Sequence, residues 1–420
     1  MSTPSIPHLP SGTRVREFEL LRRISDGGQG DAYLARIWDA AHPSAHAVVK
    51  LVDTGLRASE IAQHQLCVVK IPHPASSDNL VDEHAFLSEP AIVHPRVVQL
   101  FRTPGEQVAP RANVEPGLRY ATFNAEDGQV IVENYPCLIV EYHAGGSLRD
   151  LLRLHGHEPL PTGAAVLIAR QIAEALDHLH TVAAIVHHDV SPSNVVLRER
   201  LPWDSTADPD CSLLDFAAAD SLRKTRKREV LAKTRYCAPE RRVSRANMTI
   251  APPPDIYSLG VVLYEMLVGS SSVRTEQVVA HTFPPLRERN SAYSPAIEEL
   301  VQAMTALNPL DRPSAREVIV QLDALPERVL PTALRGPAPP GATARRLTRP
   351  QFIRLAVGAL VVALALGLGS ASVVPMISPN PTTTPTSEPT VTPLASPSPR
   401  AITATPLRPT STPAASVPRP

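Results

Sequence analysis

Net charge is the first thing this 420-residue sequence lacks, since 41 Lys and Arg are balanced by 41 Asp and Glu. No global field therefore marks nucleic acid or an acidic surface as its partner. Cysteine is scarce as well: Cys67, Cys137, Cys211 and Cys237 stand singly, with no C-x-x-C pair. That suits reduced, buried thiols in a cytosolic domain better than a disulfide framework or a zinc site. No segment outside the first 325 residues reads as a folded sensor, so no extracellular ligand is expected.

What the chain has in excess is proline, 45 residues, about twice the ordinary share. Much of it lies in Pro331 to Pro350, a basic linker, and in Pro375 to Pro420, a Pro/Ser/Thr tail. Neither can build a core, so both are expected to be extended, with polyproline II character. The first fourteen residues read as similarly loose. With 43% hydrophobic residues overall, the chain before residue 325 is long enough to bury a large two-lobed core.

Between the two proline tracts, Leu355 to Val374 carries no charge. As a helix it would span about 30 Å, the hydrocarbon thickness of a bilayer. Arg345, Arg346, Arg349 and Arg354 precede it and no basic residue follows until Arg400, which by the positive-inside rule puts the preceding region in the cytoplasm and the tail outside. A single-pass membrane protein is expected. Ala359, Ala363, Gly367 and Ala371 would share one helix face and permit pairing to a homodimer; alternatively, small residues are simply common here. Dimerisation stays open.

The richest local signal is His187-His188-Asp189-Val190-Ser191-Pro192-Ser193-Asn194, followed by Leu214-Asp215-Phe216-Ala217. It resembles the catalytic and metal-binding loops of the protein-kinase family, H-R-D-x-x-x-x-N and D-F-G. Other segments with the family's phrasing occur in order. Ile24-Ser25-Asp26-Gly27-Gly28-Gln29-Gly30-Asp31-Ala32 is similar to the glycine-rich loop over ATP, with Ser25 in place of the first glycine. Tyr236-Cys237-Ala238-Pro239-Glu240 resembles the A-P-E motif, Asp255 to Leu267 the buried helix after it, and Asn308 to Ser314 the segment whose Arg312 would pair with Glu240. The resemblance runs from about Val15 to about Leu325 and is closest in wording to the eukaryotic-type Ser/Thr kinases of bacteria.

That resemblance implies an α+β, two-lobe protein-kinase fold, with a small lobe at about 15–141 and a large lobe at about 142–325. A linker (326–354), a membrane helix (355–374) and an outer tail (375–420) would follow. It implies ATP and Mg²⁺ as cofactors and Ser/Thr hydroxyls of cytoplasmic proteins as acceptors. Asp189 would accept the hydroxyl proton, and Asn194 and Asp215 would hold the metal. Ser25, Gly27, Gly28, Gly30 and Ala32 would cover the phosphates, glycines allowing backbone N–H groups to approach them. Val140 would gate the adenine pocket, and backbone groups of Glu141 to His143 would bond the base.

Two assignments have competing candidates. Ala47-Val48-Val49-Lys50-Leu51 and Cys67-Val68-Val69-Lys70-Ile71 both offer the lysine that contacts the phosphates. Lys50 is nearer the glycine loop; Lys70 is nearer the following helix, and is preferred. Either implies an insertion of some twenty residues in the small lobe. For the partner glutamate, Glu83 shares a helix face with Leu80 and Leu87, whereas Glu89 precedes Pro90, where helices usually end. The long stretch from Pro104 to Asn134 reads as an inserted hairpin.

Three positions depart from the family pattern. His188 replaces the arginine that usually reads activation-segment phosphorylation, Ser191 replaces a lysine that steadies the γ-phosphate, and Ala217 replaces a glycine that gives the metal loop freedom. These departures motivate a rival reading as a pseudokinase scaffold, although Asp189, Asn194 and Asp215 survive. The basic run Arg223 to Arg228 reads as a solvated face or as a docking patch for acidic peptides or anionic lipid. Ser221, Thr225 and Thr234 are candidate autophosphorylation sites.

Overall fold

In the segment Leu66–Pro72, Cys67, Val69 and Ile71 join a buried cluster with Phe18, Leu20 and Tyr33, while Val68 and Lys70 are only partly buried on the other face. This period-two alternation is that of a strand with two differently used sides. The computed structural model describes residues 8–27, 29–38, 65–103, 115–124, 130–200, 208–222, 235–242 and 250–329. The chain divides into two compact units, 1–344 and 345–420, and all the described residues belong to the first. Gly28, Lys50, the run 223–228, Thr225, Thr234, Leu355 to Val374 and the Pro/Ser/Thr tail lie outside the described residues. Among the described residues, no helix is long and apolar enough to cross a membrane.

Six antiparallel strands form one sheet: β1 (Arg14–Val15), β2 (Phe18–Gly27), β3 (Gly30–Ile37), β4 (Leu66–Pro72), β5 (Leu118–Asn124) and β6 (Val130–Glu141), in the order β1-β2-β3-β4-β6-β5. The sequence alternates over Val15 to Ile24 well enough for one strand, yet two strands form there. The chain reverses at Arg16, whose φ of 56° is left-handed, and Val15 pairs back on Phe18. The hairpin expected between Pro104 and Asn134 exists as β5 and the start of β6. It is no appendage, because β6 continues directly to Glu141 beside β4.

The looseness expected of the first fourteen residues does not extend to residues 8–14. The Leu9 N–H donates to the Tyr33 hydroxyl at 3.2 Å, the Gly12 N–H donates to the Leu20 carbonyl at 2.8 Å, and Leu9 packs on the small-lobe cluster. At the other end, packing continues past Leu325: Glu327 is buried and accepts from the Ser294 N–H at 2.8 Å.

Among the described residues the α-helices are α1 (Ser77–Leu87), α2 (Leu148–Leu154), α3 (Thr162–His178), α4 (Pro239–Arg242), α5 (Pro253–Val268), α6 (Thr275–Val279), α7 (Leu286–Arg289), α8 (Pro295–Met304) and α9 (Ala315–Ala324). Capping boxes start two of them, Ser147 with Asp150 on α2 and Ser314 with Glu317 on α9. Every residue of α5 from Pro254 to Val268 is buried. Gly260 allows α8 to approach, since a Cβ there would lie 2.9 Å from the Met304 Cβ. The β-rich lobe followed by a helical lobe is the α+β arrangement expected.

Candidate active site

Two short antiparallel ribbons build the floor of the cleft. β7 (Ile185–Val186) pairs with β10 (Asp220–Ser221), and β8 (Val195–Leu197) pairs with β9 (Cys211–Leu213). The loops His187 to Asn194 and Leu214 to Ala219 therefore each run from one ribbon to the other, which forces them side by side. The Leu214 N–H donates to the Asn194 carbonyl at 2.9 Å. The His187 Nε2 donates to the Leu214 carbonyl at 3.1 Å, and its ring meets that of Phe216 edge-on at 5.0 Å.

Within the first loop, Asn194 turns its amide nitrogen to Asp189, donating to the carbonyl and to Oδ2, both at 2.8 Å. The loop is fixed from beneath by Asp255, the buried carboxylate of α5. It accepts from the backbone N–H of His187 at 2.8 Å, from that of His188 at 2.7 Å and from the His180 Nε2 at 2.9 Å. Burial works against this charge, but the His180 hydrogen bond and the neighbouring histidines outweigh it and hold the carboxyl well below the usual range. His180 reaches Asp255 because α3 continues as a π-helical turn, Leu179–Ala183, that ends on Ala184 with φ of 57°.

The roof comes from β4 and α1. On α1, Leu80, Glu83, His84 and Leu87 form the buried face. The Lys70 ammonium donates to both Glu83 oxygens, at 2.7 and 2.8 Å, and to Asp215 Oδ1 at 3.2 Å. Glu83 Oε1 also accepts from the Phe216 N–H at 3.2 Å, so one carboxylate joins helix, strand and metal loop. Burial opposes the lysine's charge, yet Asp215 and Glu83 more than offset it and raise its pKa. Burial pushes the Glu83 carboxyl up against the pull of Lys70.

The structure thus brings together Lys70, Glu83, Asp189, Asn194 and Asp215. Glu89 is not in this group: it follows the end of α1 and precedes a short 3₁₀ turn at Pro90. Gly27 pairs with Gly30, Ser25 with Ala32, and Ala32 in turn with Lys70, so the glycine loop is the tip of the β2–β3 hairpin directly beside the lysine strand. A Cβ on Gly30 would fall 2.4 Å from the Ile71 carbonyl oxygen, which excludes any side chain there.

At the end of β6, the Glu141 N–H already donates to the Gln99 carbonyl at 3.0 Å and so does not address a ligand. His143 has a buried side chain, with Nε2 3.6 Å from Glu141 Oε2. Of the three departures, Ala217 is accommodated because the left-handed residue of this loop is Asp215, with φ of 71°, rather than Ala217. His188 and Ser191 are both buried.

Sequence reasoning did not single out His180 or Arg241. His180 precedes the catalytic loop within a helical pattern that gives no hint of a π-turn. Arg241 follows Glu240, and its Nη1 lies 2.6 Å from the His188 Nδ1.

An amide oxygen and a carboxylate, Asn194 and Asp215, offer hard oxygen donors of the kind Mg²⁺ takes alongside phosphate oxygens. These residues fit the metal implied above, and Lys70 beside Asp215 fits the phosphates that would accompany it.

The chain matches the model of the family described as "Protein kinase domain" over residues 47–322, well over half its length. It is 32% identical over 225 residues to "Serine/threonine-protein kinase PknL" of Mycobacterium tuberculosis, covering 50% of this chain and 52% of that one. To "Serine/threonine-protein kinase PknD" of the same species it is 28% identical over 312 residues, 72% of this chain and 38% of that one. To "Serine/threonine-protein kinase pkn3" of Myxococcus xanthus it is 30% identical over 210 residues, 46% and 35% respectively. The chain thus spans about half or less of the length of these relatives.

Proposed function

This chain belongs to the protein kinase domain family, and from that premise we propose that it transfers the γ-phosphoryl group of ATP to Ser or Thr hydroxyls of proteins. The observation that carries this reading is the Lys70–Glu83–Asp215 cluster facing Asp189 and Asn194 across two adjoining loops. The Ser/Thr class is supported by the names of the relatives and by the bacterial-kinase wording of the motifs.

In this mechanism Lys70, oriented by Glu83, steadies the phosphates by charge. Asn194 and Asp215 would hold Mg²⁺, which would supply charge neutralisation for the transferred group. Asp189 orients the acceptor hydroxyl and takes its proton. The Asn194 amide at 2.8 Å fixes that carboxylate's direction. Glycines at the β2–β3 tip bring backbone N–H groups over the nucleotide, and backbone groups of the Glu141–His143 segment bond the base.

We further propose that Leu355 to Val374 anchors the chain in a membrane, with the kinase domain on the cytoplasmic side and the tail outside. The charge-free run and the four arginines that precede it support this reading.

The test is radiolabelled-ATP phosphorylation with Mg²⁺ by the full chain, beside Asp189→Asn and Asp215→Ala. Label in the parent, reduced at least 100-fold in both variants, is the expected result. An unlabelled parent that still unfolds cooperatively and binds ATP would replace the kinase with a nucleotide-binding scaffold.

A further inference from the structure

His188 sits between two residues that the sequence places far apart. The Nη1 of Arg241, on α4, is 2.6 Å from its Nδ1 and 3.0 Å from its Nε2, and the Asp220 Oδ2, on β10, is 3.5 Å from Nε2. The imidazole is buried and its backbone is left-handed, with φ of 67°, so both its place and its direction are over-determined by what surrounds it. Burial pushes its pKa down to about 3, and it is therefore neutral. A neutral imidazole has one accepting and one donating nitrogen. With both ring nitrogens within 3.0 Å, the Arg241 nitrogen lies against the ring face rather than along the lone pair of either one, and Nε2 is the nitrogen that faces the Asp220 carboxylate.

The chain Arg241–His188–Asp220 thus carries a cation at one end and an anion at the other, which offsets part of the cost of burying them. Asp255 completes the electrostatics by accepting the His188 N–H. Asp220 follows the Asp215-Phe216-Ala217 loop, and Arg241 follows Glu240, which Arg312 holds in place. The end of the Asp215 loop and α4 are therefore both fastened to one residue, the immediate neighbour of Asp189.

We propose that Arg241, acting through His188, is a positioning residue for Asp189, and that this clasp holds the catalytic loop in its working geometry without phosphorylation between Asp220 and Arg241. Its activity readout rests on the kinase reading above. A cation at position 188 would meet Asp220 directly; here the cation comes from α4 and a neutral ring relays it.

The full chain, its Arg241→Gln and His188→Arg variants and the double variant test this by steady-state phosphorylation and by amide hydrogen exchange. Arg241→Gln should lower kcat at least tenfold while KM for ATP stays within about twofold. His188→Arg alone, which puts two guanidiniums on one carboxylate, should also lose activity, and the double variant should recover most of it. Phosphatase-treated parent should keep its initial rate within about twofold. Exchange should quicken at least tenfold over 187–190 and 217–222 in Arg241→Gln, but not over α8, and should return in the double variant. Should Arg241→Gln lose its cooperative unfolding transition, Asp220→Asn removes the other end of the chain and must give the same kcat and exchange defects. Unchanged exchange and kcat in Arg241→Gln, no recovery in the double variant, or loss of activity on dephosphorylation would each overturn the clasp. Because exchange reads the clasp without catalysis, an inactive parent with the expected exchange pattern would sink the kinase reading and leave the clasp standing.

Discussion

Lys70 balances two carboxylates from different elements, Glu83 at 2.7 Å and Asp215 at 3.2 Å, and each contact has its own consequence when removed. Lys70→Met takes the charge from the phosphates and leaves Glu83 and Asp215 facing one another, so kcat/KM for ATP is expected to fall by about 10² to 10³, the range for losing one preorganised electrostatic contact. Lys50→Met is expected to leave it within about threefold, because the Glu83 carboxylate is already taken by Lys70. A larger loss at position 50 than at position 70, measured by initial rates at varied ATP, would reverse the assignment. At this scale, spacing made Asp189, Asn194 and Asp215 legible, because chemistry fixes how far apart they sit. The Arg241–His188 contact was not legible: the two residues are 53 positions apart, and an arginine after Glu240 reads from sequence as an ordinary charge at a helix end.

At the scale of elements, the Glu240–Arg312 pair ties α4 to the turn before α9. Arg312 has no exposed side-chain surface and donates to both Glu240 oxygens at 2.7 and 2.8 Å, to the Ala306 carbonyl at 2.8 Å and to the Pro253 carbonyl at 3.1 Å. Its guanidinium also lies 5.0 Å from the centre of the Tyr257 ring. Arg312→Ala leaves a half-buried carboxylate and several carbonyls without their donor, and is expected to cost about 1.5–3 kcal/mol in denaturant unfolding, the range for losing hydrogen bonds to a charged group. A loss under 1 kcal/mol would show that solvent reaches the pair. The sequence pattern announced this contact, as it did α5, because long apolar runs and paired motifs are robust signals. It announced the strand ends poorly. Alternation over Val15 to Ile24 does not reveal the reversal at Arg16, which a non-glycine residue makes at positive φ. Nor does a hydrophobic run such as Cys137 to Val140 show whether a hairpin is appended to the sheet or built into it.

For the whole molecule, acid is the condition to which the fold is most exposed, because several of its histidines are buried as neutral rings. Burial is the leading cause of a lowered pKa at His94, His155, His187, His188 and His281, and for His188 the value falls from the ordinary 6.5 to about 3. A depressed histidine leaves stability intact above its unfolded value. As pH falls below about 6.5 the unfolded chain takes up protons that the folded chain refuses, so stability declines over the window from 6.5 towards 3. Each fully refused proton costs about 1.4 kcal/mol per pH unit. Asp255, whose pKa is lowered, works in the same direction only beneath its ordinary 3.8, and so adds nothing between pH 5 and 6.5. The denaturant midpoint of the full chain is therefore expected to hold near pH 7 and fall steadily from 6.5 to 5. In His188→Gln the slope of that decline should be shallower by about one proton, or about 1.4 kcal/mol per pH unit, whatever the variant's stability at pH 7. A parent whose midpoint is flat across this window, or a variant with an unchanged slope, would mean that the catalytic-loop histidines accept protons within the native fold.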